Sequence, residues 1–262
     1  MLARRGSRRG RGATIARQVQ GMRRRSRAFL GLGLALVTIG GAVVICCHGG
    51  SSTPSTCFGS PGAGALAHGW RLPASGPNFS AYSSTGWALG RTYVHSAVYP
   101  VMLDAYASLR DEHPTLRFVY GETGLVRGGR FRPHRTHENG LSVDFMVPVL
   151  SPDGKVGTLP TSPVDKFGYG LEFDASGHSG HYSIDFETMA LHLAALRAAA
   201  ERHRVGIARV IFAPDLQRHL RRTKAWPMIR RLPFSARPSW VRHDEHYHVD
   251  FRVPCQQLSR AR

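Results

Sequence analysis

Apolar and polar positions change period several times along this chain, and each change marks an element. From about Pro100 to Arg110, Val101, Leu103, Ala105 and Leu109 partly line one face, and a proline is at home in a helix's first turn. Residues 116–120 form a short apolar run that predicts a strand, and residues 141–147 predict a second. The clearest helix spans 185–202, where Phe186, Met189, Ala190, Leu193, Ala194 and Leu196 recur at near-helical spacing. The Met189 stripe reads as core, not as a ligand box. Residues 207–212 predict a strand, 215–222 a short basic helix behind Pro214, and 246–253 a final strand. Gly121 to Glu138 reads as loop. Residues 148–182 carry too many prolines and glycines for a packed element and read as a long surface insertion. Helices fall between strands without a phosphate-binding βαβ signature. An α+β fold with a small antiparallel sheet flanked by helices fits this order.

The N-terminal part differs in kind. Residues 1–28 hold ten arginines and no acid, and residues 29–47 form an uncharged apolar run about one bilayer span long. The charge asymmetry predicts a basic cytoplasmic leader followed by a transmembrane anchor or signal segment, with the rest of the chain exported. Residues 48–62, rich in Gly, Ser, Thr and Pro, read as a linker, and 63–258 as the functional domain. The formal charge is +18, of which the leader supplies ten, so the exported part stays basic at about +8. That suits an anionic envelope polymer. No phosphate loop, zinc finger or aromatic-basic RNA motif supports nucleic acid as a partner. Outside the apolar run only Cys57 and Cys255 remain, near the two ends of the exported part. Domain ends often meet and an oxidising compartment permits a bridge, so the two either pair or stand as separate thiols.

Two short segments carry the chemistry. One runs from His243 through Asp244, Glu245, His246, Tyr247 and His248 to Asp250. Side chains two apart share a strand face, so His246, His248 and Asp250 point one way while Tyr247, Val249 and Phe251 point to the core. The other holds His134, His137 and Asp144, with a turn at Asn139-Gly140 able to bring the loop back to the strand. Imidazole and carboxylate ligands that leave one position open are what a catalytic Zn2+ needs.

The pattern Gly128-Gly129-Arg130-Phe131, His134, His137, Gly140-Leu141 and Val143-Asp144, followed by Trp240, His243, His246-Tyr247-His248-Val249 and Cys255, resembles the penicillin-insensitive murein endopeptidases. These belong with lysostaphin-type enzymes, D-Ala-D-Ala carboxypeptidases and the hedgehog domain. The resemblance implies a hedgehog-like zinc peptidase domain that hydrolyses peptide cross-links in peptidoglycan, outside the cytoplasm. It implies zinc ligands at His137, Asp144 and His248, with His134 and His243 near the metal and His246 as base or transition-state stabiliser. A protonated His243 or His246 would then serve the oxyanion or the leaving amine. Glu245, three residues before His248, is a second candidate base, as in the related carboxypeptidases. Asp174, His178, His181 and Asp185 offer a second metal site or a solvated loop. A carboxypeptidase or dipeptidase acting on stem peptides, and a non-catalytic zinc-containing wall-binding module, are the alternatives.

Overall fold

The computed structural model describes residues 53–258. The leader and the apolar run read as an anchor lie outside the described residues. Among the described residues no helix is long and apolar enough to cross a membrane.

In chain order the elements are β1 (Thr56–Ser60), β2 (Ala63–Ala67), β3 (Trp70–Arg71), β4 (Phe79–Ala81), α1 (Ser84–Ala88), β5 (Tyr93–Val94), α2 (Val98–Glu112), β6 (Phe118–Tyr120), β7 (Ser142–Met146), β8 (Pro148–Leu150), β9 (Val156–Thr158), β10 (His178–Ser179), β11 (Tyr182–Ile184), α3 (Phe186–Arg202), β12 (Gly206–Ile211), α4 (Gln217–Leu220), α5 (Trp226–Ile229) and β13 (His246–Arg252). The central sheet has the order β12-β13-β7-β6-β4. It is antiparallel except at its edge, where β4 runs parallel to β6. The α+β reading holds.

One face of this sheet is apolar and the other polar, as strand alternation requires. Tyr247, Val249 and Phe251 of β13 and Val143 and Phe145 of β7 are buried, and the rings of Phe145 and Tyr247 stack at 5.3 Å. α3 packs on this side. Its N-terminus is capped by Asp185, which accepts the Thr188 N–H at 3.0 Å. Met189, Leu193 and Leu196 are fully buried, so the stripe is core. His192 on the same helix is structural: its Nδ1 accepts the Tyr247 hydroxyl at 2.5 Å, and burial lowers its pKa to about 3.

Two readings are corrected. The stretch taken as linker ends in structure, because β1 pairs with β2 as a hairpin and Gly59 N donates to Gln256 O. Small residues fill that hairpin, so it lacks the bulky alternation by which a strand is recognised. Cys57 is bonded to Cys255, with Cα atoms 4.8 Å apart. The insertion is not structureless either. β8, β9, β10 and β11 form a second small sheet, and Leu159 and Phe173 are buried. Its strands are only two or three residues long, below the length at which a period shows.

Candidate active site

The polar face of β7 and β13 carries the site. The register sets His248 opposite Asp144, Asp250 opposite Ser142 and His246 opposite Met146. Adjacent strands therefore deliver Asp144 and His248 to one another without any loop: His248 Nδ1 lies 2.8 Å from Asp144 Oδ1. The other ring nitrogen, Nε2, lies 2.8 Å from Asp250 Oδ1. Asp250 is in turn held by the Ser142 hydroxyl at 2.6 Å and by Arg209 Nη2 at 2.6 Å.

His137 reaches the same carboxylate from the loop before β7. Its Nδ1 faces Thr123 O at 3.3 Å, and its Nε2 stands 3.3 Å from Asp144 Oδ1. His137 has a φ of 70°, the left-handed region that a non-glycine residue rarely occupies. Gly140 closes the turn that returns the loop to the strand. At its φ of 76° an added Cβ would meet His95 N at 2.9 Å, so glycine is required there. His134 approaches from the cleft side, with Nδ1 3.8 Å from Asp144 Oδ2. His134, His137 and Asp144 offer ligand atoms within 4.8 Å of one another.

Behind His134 is a residue that sequence reasoning missed. Glu122 follows β6 and is buried. It accepts from Tyr82 Oη at 2.8 Å, lies 2.5 Å from His134 Nε2 and pairs with Arg91. Burial works to raise its pKa, but His134 and Arg91 prevail and hold it at about 2. Tyr169, from the insertion, was also missed. Its hydroxyl donates to Asp144 Oδ2 at 3.1 Å and accepts the Glu122 N–H at 3.0 Å. Gly121 permits this approach, since a Cβ there would fall 2.6 Å from that hydroxyl. Neither residue belongs to a periodic or His-rich pattern, so the sequence offered no signal for them.

His246 and His243 complete the cluster, with ring centroids 4.6 Å apart. His246 Nδ1 is 2.9 Å from Glu245 Oε1, and its Nε2 lies 3.9 Å from Asp144 Oδ2. Burial opposes protonation of His246, but Glu245 and Asp144 outweigh it and raise the pKa. Glu245 is thus brought to His246, and its second oxygen accepts the Asp244 N–H at 3.2 Å. His243, at a φ of 56°, turns its Nδ1 to Val241 O at 2.8 Å. Burial, then the charge of His246, lowers its pKa to about 4. Of the two histidines offered for the protonated role, His243 is thus the one whose surroundings disfavour the proton. Asp244 also lines the cleft and takes the Phe173 N–H at 2.5 Å, pinning the insertion against the site.

His134, Tyr169 and His246 line a cleft of about 830 Å³ with Tyr82, Arg91 and Trp240. Asp144, His137 and His248 are fully buried behind them. His137 Nε2 is buried and makes no hydrogen bond. A buried ring nitrogen without a partner ordinarily destabilises a fold. Here it faces a carboxylate oxygen that a second imidazole also faces, and that donor set fits a cation. Among the insertion residues weighed for a second metal, Asp185 caps α3 and Asp174 accepts the Ser176 and His178 N–H groups. No second metal cluster forms among the described residues.

The family model for penicillin-insensitive murein endopeptidase matches residues 57–261. The chain belongs to the penicillin-insensitive murein endopeptidases. Comparison with curated proteins finds no match. As a murein endopeptidase the protein acts on peptidoglycan, and membership implies a metal, for which the His134, His137 and Asp144 cluster offers a place. Its substrate places it outside the cytoplasm, and the Cys57–Cys255 bridge agrees with an oxidising compartment.

Proposed function

We propose that this murein endopeptidase holds one zinc ion through His137 Nε2, Asp144 and His248 Nδ1, with His134 beside it on the cleft side, and that His246 is the general base. The observation that carries this reading is the sharing of Asp144 Oδ1 by His248 Nδ1 at 2.8 Å and the otherwise unpartnered His137 Nε2 at 3.3 Å. Asp250 takes the role of the carboxylate that orients a ligating imidazole: it fixes the His248 Nε2–H and turns Nδ1 toward Asp144. Thr123 O does the same for His137. Zinc in such a site supplies Lewis acidity, polarising a carbonyl and making a nearby water more acidic.

The chain's own residues supply the rest. Glu245 holds His246 Nδ1–H, so His246 Nε2 faces the cleft and takes the proton of the attacking water. The water oxygen bonds to the peptide carbon, the C–N bond breaks, and His246 returns the proton to the leaving amine. Glu245 orients the base and is not itself the base. Neutral His243 stands next to His246 as a further acceptor. We also take residues 29–47 to be the export or anchoring segment, from their uncharged apolar run behind ten arginines, and the domain to be hedgehog-like, on the sequence resemblance.

The test is metal content and turnover of residues 53–258 on soluble cross-linked muropeptide dimers. About one zinc per chain is expected, lost in His137→Ala, with dimers split to monomers only by the loaded protein. A zinc-free, fully active preparation would sink the assignment.

A further inference from the structure

The chain leaves the central sheet after Ile211, touches its edge where Phe234 bridges Val210, and rejoins it as β13, just after Ala213 N donates to His243 O at 2.9 Å. The excursion between is closed at its neck by Gln217, whose Nε2 donates to Phe212 O at 2.9 Å and Ser235 O at 2.8 Å. Residues 216–243 contain eight Lys or Arg and no Asp or Glu. The excursion encloses a second cleft, of about 570 Å³, which shares no lining residue with the one at His246.

This cleft has an apolar floor and a cationic rim. Trp226 and Phe234 form the floor with ring centroids 6.5 Å apart, and both pack against the core. Arg221 and Arg230 form the rim. Both are exposed and neither is in an ion pair among the described residues. Arg242 differs, being paired with Asp215 and Asp244. Uncompensated like charge around one hollow destabilises a fold through self-repulsion, and it contributes no internal contact in return. Guanidinium forks match carboxylates bidentately, and an aromatic floor suits small methyl groups or the apolar faces of sugar rings.

We propose that the Arg221–Arg230 cleft is a second, non-catalytic subsite that binds a free stem-peptide carboxylate of peptidoglycan and retains the enzyme on the insoluble polymer. The proposal rests on the murein endopeptidase reading for its ligand. Stem peptides that are not cross-linked end in carboxylates, repeated along each glycan strand, so a polymer held at one stem presents further anions nearby. Two linked contacts hold a polymer far longer than either alone.

The double variant Arg221→Glu/Arg230→Glu tests this, since both side chains are exposed and replaceable without touching the core. Co-sedimentation with isolated sacculi at low salt is expected to weaken by at least about tenfold, with digestion of sacculi falling in step. Turnover of soluble cross-linked dimers is expected to be unchanged. Sacculi whose carboxylates have been converted to amides should release wild type to the same extent. Unchanged sedimentation of the variant, an equal loss on soluble dimers, or undiminished binding of wild type to amidated sacculi would each overturn the proposal. Failure of the wild type to split dimers would instead count against the catalytic reading, while sedimentation still decides the subsite.

Discussion

The two halves of the active site are built by different means. Asp144, His246 and His248 sit on neighbouring strands, and their mutual placement is fixed by backbone pairing that also aligns the core residues Phe145 and Tyr247. His134, His137 and Tyr169 come from a loop and an insertion, and reach the same carboxylate only through props: Gly140, Thr123 O, Glu122 and the hydroxyl of Tyr169 itself. A strand pair cannot shift by one residue without turning its whole apolar face to solvent. The strand half is therefore rigid by the logic of the fold. The loop half is rigid only because many small contacts agree, and His137 within it, like His243 beside it, holds a backbone conformation that the surroundings must enforce.

That contrast is open to direct attack. The largest effect is expected on the strand half: His248→Ala should empty the metal site and lower turnover of cross-linked dimers by about 10³-fold or more, read by elemental analysis and product release. His134→Ala, on the loop half, should keep the metal and lose about 10- to 100-fold in turnover. Equal metal loss in both would make His134 a ligand in its own right rather than a neighbour of the metal.

A middle-sized effect concerns the prop behind His134. The folded pKa of Glu122, about 2, lies below its ordinary value of 4.5. A carboxylate so depressed contributes stability that is fully present above about pH 4.5 and is lost as pH falls toward about 2. Glu122→Gln should therefore be less stable than wild type at pH 7, by on the order of 3 kcal/mol, and the gap should close as pH drops to about 2. Urea midpoints at both pH values measure it, and a gap independent of pH would show that Glu122 acts through packing rather than charge. The smallest effect is expected at Tyr169→Phe. It removes one hydroxyl that bridges Asp144 and Glu122, so turnover should fall by about tenfold or less with metal content intact.

The same contrast explains what was legible in the sequence. The strand half was readable because side-chain alternation is a rule of period two: from His246 and His248 alone, Asp250 falls on the polar face and Tyr247 on the core face, and the register bears this out. The long helix was equally plain from its 3.6-residue stripe. His134 and His137 stood out by residue type and spacing, but what positions them did not. Glu122 and Tyr169 are 47 residues apart, in a loop and a proline-rich insertion without periodicity, and only the tertiary fold brings them together at Asp144. The β1–β2 hairpin was hidden for another reason. Its sequence, dominated by Gly, Ala and Ser, resembles a tether, and its order comes from long-range pairing with the segment after β13.

Every side chain assigned to the chemistry lies between Cys57 and Cys255, inside one covalent ring of the polypeptide. A single backbone cut by a neighbouring protease anywhere in that ring leaves both fragments tethered, with His137 and His248 still parts of one molecule. For a hydrolase that works outside the cytoplasm, a cut in an exposed loop then costs no part of the molecule.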